Sequence, residues 1–547
     1  MKNNLIKFLQ YPVRASPLSL FRLGSPQTVL VDFSSPNIAK PFHLGHFRAT
    51  VTGNFVRNIN EAMHHRVVAI NYLGDWGTQF DLLARAFHQY GSWDKLNTNP
   101  MRHLQEIYVR VNQENGTSLS AQSIPDSDRI SWWARVREMT IAHLEQTYSR
   151  MNVRFTVFEY ESDYVDAAKR LVDRLLVAGL AMYDSDGVVV FRTSTTTDSS
   201  LPNPRISLLK SDGSTLYLTR DIASAISRYE RYHFDRIHYV VEDGQRLHFQ
   251  HLCTVLQGLN CHWLNATNPV DSPADDFQPS SPSSCQIHIP FGRVQGASTR
   301  RGQGVTLSDI LDGARHTILQ RMAKSPNTRF SDVTDPALSN TERQAILDVA
   351  DHLGVTCLVV EFLRQRRQKP VRLRSFMGNP VANTGPTDPN SGSDGGGLDT
   401  TDLSGLGLQY CHARLCSLER RAIQSGIISS DSAHSDQTDL TVLCEKIDQL
   451  DSTLWTNANQ SMELKLLKFL TGFESALLAA YEDYEASVLV QFATKLTAEV
   501  NLAWKRSPVL SCDDLNIKLL RLSTFLAARN VLAVCLRLLG IRPLRRI

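Results

Sequence analysis

The sequence lacks three features that would place it at once in a well-defined class of proteins. Its nine cysteines contain no C-x-x-C pair, which argues against a disulfide framework and against a ribbon-type zinc site. No run approaches the roughly 18 consecutive apolar residues of a membrane span, so we expect none. Lysine and arginine number 58 against 55 acidic residues, and the net charge of +3 supplies no global attraction for a polyanion. A surface that binds nucleic acid should therefore be a local patch.

The length of 547 residues and the hydrophobic content of 42% allow a large core divided over two or three domains. Residues 1–27 are predicted to be a basic leader, because Lys2, Lys7, Arg14 and Arg22 fall in a stretch of 24 residues without an acid. Such a composition is typical of an organelle transit peptide. A short basic leader or a truncated N-terminal domain fits the same composition, and these alternatives stay open.

Residues 28–75 predict a β-α-β unit. The run TVLVDF from Thr28 is apolar and β-branched enough for a buried strand, a helix begins near Gly45, and HRVVAINYLGD predicts a second buried strand. Such units build parallel sheets with right-handed crossovers. A second α/β block runs from about 155 to 262, with VVVFR, TLYLTR and RIHYVV as strand candidates. The polar, periodic stretch 97–150 between the two predicts a helical insertion.

Two segments rich in proline, glycine, serine and aspartate interrupt this regularity. Residues 266–285 are predicted to be a disordered loop and residues 379–405 a disordered linker. The sequence that follows is almost entirely helical in pattern, most clearly in KLLKFLTGFESALLAAYEDYEASVLVQFATKLTAEV. We therefore predict an α/β domain over residues 28–378 and a helical domain over residues 406–547.

The segment SSPNIAKPFHLGHFRAT is the most informative motif, because His43 and His46 bracket Gly45 between a predicted strand and a predicted helix. Two imidazoles at a helix N-terminus meet its positive dipole end, and the missing side chain of Gly45 lets a flat base approach the backbone. The pattern predicts a site for a nucleotide phosphate. Taken alone, H-x-G-H would favour the alternative of two histidines that only cap or pack the turn.

Several segments together resemble the class I aminoacyl-tRNA synthetases, and specifically the arginyl-tRNA synthetases. HLGH resembles the first signature of the class, and STRRG at 298–302 resembles the arginyl form of its second signature loop. The segments that resemble the arginyl family itself are NYLGDWGTQF (71–80), SDGSTLYLTRDIA (211–223), GQRLHFQ (244–250), LQYCHARLCSLE (408–419) and LRLLGIRP (536–543). The resemblance spans nearly the whole chain. It implies an α/β Rossmann-like parallel-sheet catalytic domain followed by an all-α anticodon-binding helical bundle.

The activity implied by the resemblance is ATP-dependent activation of L-arginine to arginyl-adenylate, followed by transfer of arginine to the 3′ end of tRNA-Arg. Magnesium should accompany ATP as substrate, with no metal ligands from protein side chains. The resemblance also implies a monomer in which ATP–pyrophosphate exchange needs tRNA, and no membrane partner. It is closest to the mitochondrial type, which together with the basic leader favours the mitochondrial matrix over the cytoplasm.

For arginine, the resemblance places Asn37 and Gln245 near the amino and carboxylate groups and Glu161, Tyr217 and Asp221 at the guanidinium. The chemistry agrees, because a guanidinium is a planar fork of donors that carboxylates satisfy bidentately. Tyr217 and Asp221 are four residues apart, so both lie on one face if the segment turns helical at Thr219. Helix capping by Asp221 and packing of Tyr217 in a strand are the alternatives.

For catalysis, the resemblance implies alignment of the reactants and stabilisation of charge on the departing pyrophosphate, without a covalent intermediate. The implied catalytic residues are His43, His46, Lys40, Arg300 and Arg301, and the implied ATP-binding residues are His43, Gly45, His46, Ser298 and Thr299. The loop reads ASTRRG, with Ala297 where the family usually has Met and no lysine after it. In the family a lysine just before the first signature is thought to substitute, and Lys40 has that position. An exposed loop lysine and a solvated arginine pair are the alternatives.

In the helical region, the resemblance implies contacts to the anticodon stem and loop, because sequence-specific RNA recognition favours unstacked bases. The residues expected to bind tRNA are Tyr410, His412, Arg414 and Trp504. For each of them, an ordinary place in the core or on the surface of a helix is the alternative. Two other functions stay open for the whole chain: an H-x-G-H nucleotidyltransferase that acts without tRNA, and a catalytically silent RNA-binding relative. The first does not explain the long helical region.

Overall fold

The structure is a computed structural model. The residues that it describes are 1–11, 24–38, 40, 42–113, 126–192, 205–264, 287–295, 306–325, 333–372, 404–431, 438–455 and 461–547. The predicted loop 266–285, most of the predicted linker 379–405 and the second signature loop 298–302 lie outside them.

Ten strands and seventeen α-helices lie within the described residues. The strands are β1 (Thr28–Phe33), β2 (Arg66–Leu73), β3 (Val157–Tyr160), β4 (Ala181–Tyr183), β5 (Val189–Phe191), β6 (Ile206–Leu209), β7 (Arg236–Glu242), β8 (His288–Phe291), β9 (Val294–Gln295) and β10 (Val371–Arg372). The helices are α1 (Lys2–Leu9), α2 (Leu44–Ala62), α3 (Thr78–Tyr90), α4 (Trp93–Thr98), α5 (Pro100–Gln113), α6 (Asp126–Arg150), α7 (Val165–Val177), α8 (Tyr217–Tyr232), α9 (Arg246–Gly258), α10 (Leu307–Lys324), α11 (Asn340–Leu363), α12 (Ser404–Gln424), α13 (Leu440–Asp448), α14 (Met462–Leu470), α15 (Phe473–Glu482), α16 (Ala486–Arg506) and α17 (Leu515–Leu538).

A five-stranded parallel sheet in the order β3-β2-β1-β7-β8 forms the centre of the α/β region. The central strand β1 is buried over all but its first residue, as expected for a strand covered on both faces. Helix α2 connects β1 to its parallel neighbour β2 and buries Phe47, Val51 and Phe55. The predicted β-α-β unit and the α/β fold class are confirmed.

One strand prediction is wrong: TLYLTR is not a strand, because α8 begins inside it at Tyr217. The apolar residues Leu218, Ile222 and Ala225 recur at the spacing of one helix face, and all three are buried. Burial of this face outweighs the β-branched and aromatic residues at the start of the segment. The other two candidates are strands: VVVFR contains β5, in a small antiparallel sheet with β4 and β6, and RIHYVV lies within β7.

The helical region is built around α17, whose most apolar 18-residue window has a mean hydropathy of 1.5 and is 94% buried inside the protein. Long enough and apolar enough to cross a bilayer, this helix is instead enclosed by α1, α12, α14 and α16. Helix α1 lies in the segment predicted to be a leader, yet it buries Leu5, Phe8 and Leu9. The Asn530 side chain of α17 donates hydrogen bonds to the carbonyl oxygens of Phe8 and Leu9, at 3.1 and 2.8 Å. Residues 2–9 therefore belong to the packed helical core.

The helical region contacts the amino end of the parallel sheet. Arg236, the first residue of β7, is buried and donates hydrogen bonds to the hydroxyls of Tyr481 at 3.0 Å and Tyr484 at 3.2 Å. His65, just before β2, shares a 2.8 Å hydrogen bond with the Tyr481 hydroxyl. The carboxyl edge of the sheet lies on the opposite side from this contact.

Candidate active site

Polar side chains follow four strands of the parallel sheet at their carboxyl ends. Asn37 comes after β1, Asp75 after β2, Glu161 directly after β3, and Gln245 after β7. Ligands of open α/β sheets bind at this edge, because the loops that leave parallel strands gather there. A close backbone approach joins the first two loops: Ile38 donates to the Gly74 carbonyl at 2.8 Å, and a Cβ on Gly74 would lie 2.2 Å from Asn37 Oδ1. A residue larger than glycine at position 74 would displace the Asn37 side chain.

A cavity of about 600 Å³ opens at this edge. Three of the predicted arginine-binding residues, Asn37, Glu161 and Tyr217, line it together. Its other lining residues are Asp75, Trp76, Gly77, Phe80, Ala84, Ile130, Trp132, Trp133, Lys210, Asp212, Ser214, Thr215, Leu216 and Arg220. Helix α6 supplies one wall, so part of the segment predicted as an insertion forms the site. Asp221 and Gln245 are not among the lining residues.

The H-x-G-H turn begins α2. His43 is the N-cap in an extended conformation, and its Nδ1 accepts hydrogen bonds from the backbone N–H groups of Gly45 at 3.1 Å and His46 at 3.3 Å. The His43 N–H donates in return to Nδ1 of His46 at 3.4 Å, and the two rings stack with centroids 3.8 Å apart. A Cβ on Gly45 would lie 2.9 Å from His43 Cε1. The histidines thus cap the helix and keep each Nδ1 occupied.

Burial lowers the basicity of the titratable side chains in this turn. It lowers the pKa of His43, and it lowers the pKa of His46 well below the ordinary value, with His43 adding to the effect. Burial also lowers the pKa of Lys40, whose ammonium lies 6.0 Å from the centroid of the Tyr108 ring. Neutral imidazoles with an occupied Nδ1 can offer Nε2–H as a hydrogen-bond donor to a phosphate oxygen.

The predicted residues Ser298, Thr299, Arg300 and Arg301 lie outside the described residues. The chain that follows them returns to the H-x-G-H turn, because the N–H of Leu307, at the start of α10, donates to the carbonyl of Phe42 at 2.9 Å.

Glu161 already has a guanidinium partner within the protein, which sequence reasoning missed. Its Oε1 accepts from Arg220 Nε at 2.7 Å, and Arg220 Nη2 lies 2.6 Å from the same oxygen. Arg220 Nη1 donates to both oxygens of Thr215 at 2.7 Å. Burial raises the pKa of Glu161 to about 7, against the opposing effect of Arg220. The sequence offers one signal for this pair: Arg220 stands directly before Asp221 in LTRDIA.

Two more partners were missed. Asp221, on the first turns of α8, pairs with His248 of α9 at 2.7 Å between Oδ2 and Nε2. The buried Asp75 accepts from the backbone N–H and the hydroxyl of Ser162, both at 2.7 Å, and pairs with Arg137 of α6. Each of these carboxylates of the site therefore has a partner from another element.

The predicted tRNA-binding residues differ in accessibility. Tyr410 is 48% exposed, and the Arg414 guanidinium lies 4.0 Å from the centroid of the half-buried Trp504 ring. His412 is buried, its Nδ1 donates to the Leu544 carbonyl at 2.8 Å, and burial lowers its pKa to about 4. His412 holds the C-terminal segment, and contact of its ring with a base would require that bond to break.

A parallel sheet with an H-x-G-H turn after its first strand, a polar cavity at its carboxyl edge and a following helical region defines a class I aminoacyl-tRNA synthetase. Residues 20–370 match the family model of class I (R) tRNA synthetases, catalytic domain, and residues 408–547 match the DALR anticodon binding domain. The chain belongs to the arginyl-tRNA synthetase family, whose members join arginine to tRNA using ATP.

Relatives from two compartments are about equally similar. The chain is 32% identical to a probable mitochondrial arginine–tRNA ligase of Mus musculus, covering 95% of this chain and 78% of that one. It is 33% identical to the mitochondrial arginine–tRNA ligase of Saccharomyces cerevisiae, covering 95% and 72%, and 31% identical to the cytoplasmic enzyme of that yeast, covering 96% and 77%. The fold resembles the Thermus thermophilus arginyl-tRNA synthetase, with a TM-score of 0.68 at 19% identity, over 100% of this chain and 86% of that one.

Proposed function

We propose that this arginine–tRNA ligase binds L-arginine in the 600 Å³ cavity at the carboxyl edge of the sheet. The observation that carries the proposal is that Asn37, Glu161 and Tyr217, distant in sequence, line that one cavity. A buried carboxylate beside an open polar cavity suits a guanidinium, whose donors need paired acceptors once water is excluded. Asp221 lies one helical turn after Tyr217, next to the lining residue Arg220, and we assign to it the second carboxylate contact of the guanidinium.

In the proposed reaction, a carboxylate oxygen of arginine attacks the α-phosphorus of ATP, and the bond to the bridging oxygen breaks to release pyrophosphate. A ribose hydroxyl at the 3′ end of tRNA then attacks the carbonyl carbon of the adenylate, and AMP leaves. Asn37 and Gln245 hold the amino and carboxylate groups of arginine, so that the attacking oxygen is aligned.

The phosphates are assigned to the H-x-G-H turn. Nε2–H of His43 and His46 donates to phosphate oxygens, and Gly45 leaves room for the nucleotide at the positive end of α2. We also assign to the phosphates Lys40 and the loop residues Ser298, Thr299, Arg300 and Arg301. We assign Mg²⁺ to ATP itself, whose phosphate oxygens are the ligands that this ion prefers.

For tRNA, we propose that the exposed face around Tyr410, Arg414 and Trp504 contacts the anticodon arm, with the ring and the guanidinium as stacking surfaces. We also propose a monomer in the mitochondrial matrix. Support for the compartment is the similarity of the chain to mitochondrial arginine–tRNA ligases, at 32% and 33% identity. Fractionation of cells that express the tagged full-length chain tests it: recovery only with the cytosol contradicts the assignment.

The arginine site is tested by removing one carboxylate at a time. We expect Glu161→Gln and Asp221→Asn each to raise KM for arginine at least tenfold in aminoacylation, with KM for ATP within about twofold, because a hydrogen bond to a charged group contributes about 1.5–3 kcal/mol. Asp212→Asn is the matched control, since it removes an exposed carboxylate from the same cavity. Equal KM values for all three variants and the wild type would contradict the assignment.

A further inference from the structure

His248, which is not among the cavity-lining residues, is bonded to Asp221, one of the two carboxylates proposed to bind the guanidinium. His248 lies in the first turn of α9, and its Nε2 is 2.7 Å from Oδ2 of Asp221 on α8. Both side chains are about one-fifth exposed, so the contact is shielded on most sides but reached by solvent. Among the described residues, His248 is the one side chain bonded to the Asp221 carboxylate. Oδ2 is therefore occupied, and no described side chain bonds Oδ1.

The orientation of the His248 ring is itself fixed from the sheet. The ring packs edge-on against Phe249, with centroids 5.2 Å apart. Phe249 stacks on the His288 ring at 4.5 Å, and Nε2 of His288 donates to the Val241 carbonyl at 3.1 Å. These contacts run from β7 and β8 to the imidazole. A ring held in this way restricts the rotamers of the carboxylate that it bonds.

The position of His248 in the chain adds a second constraint. It comes three residues after Gln245, which is assigned to the carboxylate end of arginine, while Asp221 is assigned to the guanidinium end. The bond therefore joins the loop that holds one end of the substrate to the helix that holds the other. A guanidinium fork is recognised only if its acceptors keep a set distance and angle, so this link should matter for binding.

We propose that His248 is a positioning residue for arginine: it holds Oδ2 of Asp221 so that Oδ1 accepts from the substrate guanidinium. The proposal rests on the proposed role of Asp221. His248 touches neither arginine nor ATP in this account, and it acts only through the carboxylate. Its loss should therefore weaken arginine binding selectively, whereas loss of a purely structural α8–α9 contact would affect both substrates and the turnover number together.

The test compares four variants in steady-state aminoacylation: His248→Leu, His248→Gln, Asp221→Asn and the double variant Asp221→Asn/His248→Leu. We expect His248→Leu to raise KM for arginine about tenfold, with kcat and KM for ATP within about twofold. His248→Gln should recover most of the loss, because its amide N–H can reach Oδ2. In the double variant, His248→Leu should add no more than about twofold to Asp221→Asn, because the group it positions is already changed.

His251→Leu is the matched control, since it removes an imidazole from the same helix without a bond to Asp221, and we expect unchanged kinetics. If Asp221→Asn raises KM for arginine but His248→Leu does not, the positioning role is wrong while the arginine site stands. If Asp221→Asn also leaves KM unchanged, the proposed arginine site fails first. Additive effects in the double variant, or equal losses for both substrates with no rescue by glutamine, would assign His248 to structure alone.

Discussion

Arginine binding should weaken as the pH falls from 8 to 6, because Glu161 must be ionised to accept from a guanidinium. Burial raises the pKa of this carboxyl to about 7, even with Arg220 beside it. At pH 8 roughly 91% of the group is ionised and at pH 6 roughly 9%, so kcat/KM for arginine should fall about tenfold between the two. Burial lowers the pKa of both histidines of the H-x-G-H turn, which moves their titration away from the step expected near pH 7.

A loss of folding stability linked to the titration of Glu161 does not explain such a fall in kcat/KM. The pKa of Glu161 in the folded state lies above its ordinary value, so the stability linked to this group is fully present below the ordinary value and declines as the pH rises through about 7. Acidification from pH 8 to 6 therefore stabilises the fold through this group. A fall in kcat/KM over the same window reports the binding site.

The assay is aminoacylation at saturating ATP and tRNA, with kcat/KM for arginine measured every half pH unit from 5.5 to 8.5. Glu161→Gln supplies the reference, because it cannot titrate and should show a low, nearly flat profile across the step. A flat wild-type profile, or a step near pH 7 that persists in Glu161→Gln, would refute the assignment of this pH dependence to Glu161.

Three further changes probe the frame around the site. The guanidinium of buried Arg48 donates to four backbone carbonyls before β9 and β10, so Arg48→Met should lower the free energy of unfolding in urea by at least about 3 kcal/mol; an unchanged midpoint would contradict this. Phe8→Ala in α1 should cost about 3–5 kcal/mol, against little change for the exposed Asn4→Ala, which a comparison of urea midpoints checks. Arg137→Met should raise KM for arginine several-fold because it removes the charged partner of Asp75 at the cavity, while Arg135→Met, on nearly the opposite face of α6, should not; equal values for both would count against the link.

The parallel sheet and the H-x-G-H turn were predictable because their signals are local. Buried β-branched runs and the H-x-G-H spacing can be read within a few residues. The start of α8 was not, since the β-branched and aromatic letters of TLYLTR favour a strand and only burial of Leu218, Ile222 and Ala225 decides for a helix. Propensity gives way to tertiary packing at such positions.

The internal partners of the site carboxylates could not be predicted for a different reason. Arg220 is 59 residues from Glu161 along the chain, and His248 is 27 residues from Asp221. No periodicity or motif in the sequence predicts which acidic residue pairs with which basic residue at that separation. The same holds for α1, where a basic composition indicated a leader, whereas its contact with Asn530 depends on a helix more than 500 residues away.

Arginine-dependent ATP–pyrophosphate exchange is the most direct test of the central claim. It should be measured on the full-length chain with and without tRNA-Arg, from both mitochondrial and cytosolic sources, with lysine as the control amino acid. We predict exchange with arginine in the presence of tRNA and none with lysine, because a lysine ammonium leaves the carboxylate acceptors of the cavity unpaired. Folded protein that supports no exchange with arginine under any of these conditions would contradict the account and favour a catalytically silent relative that only binds RNA.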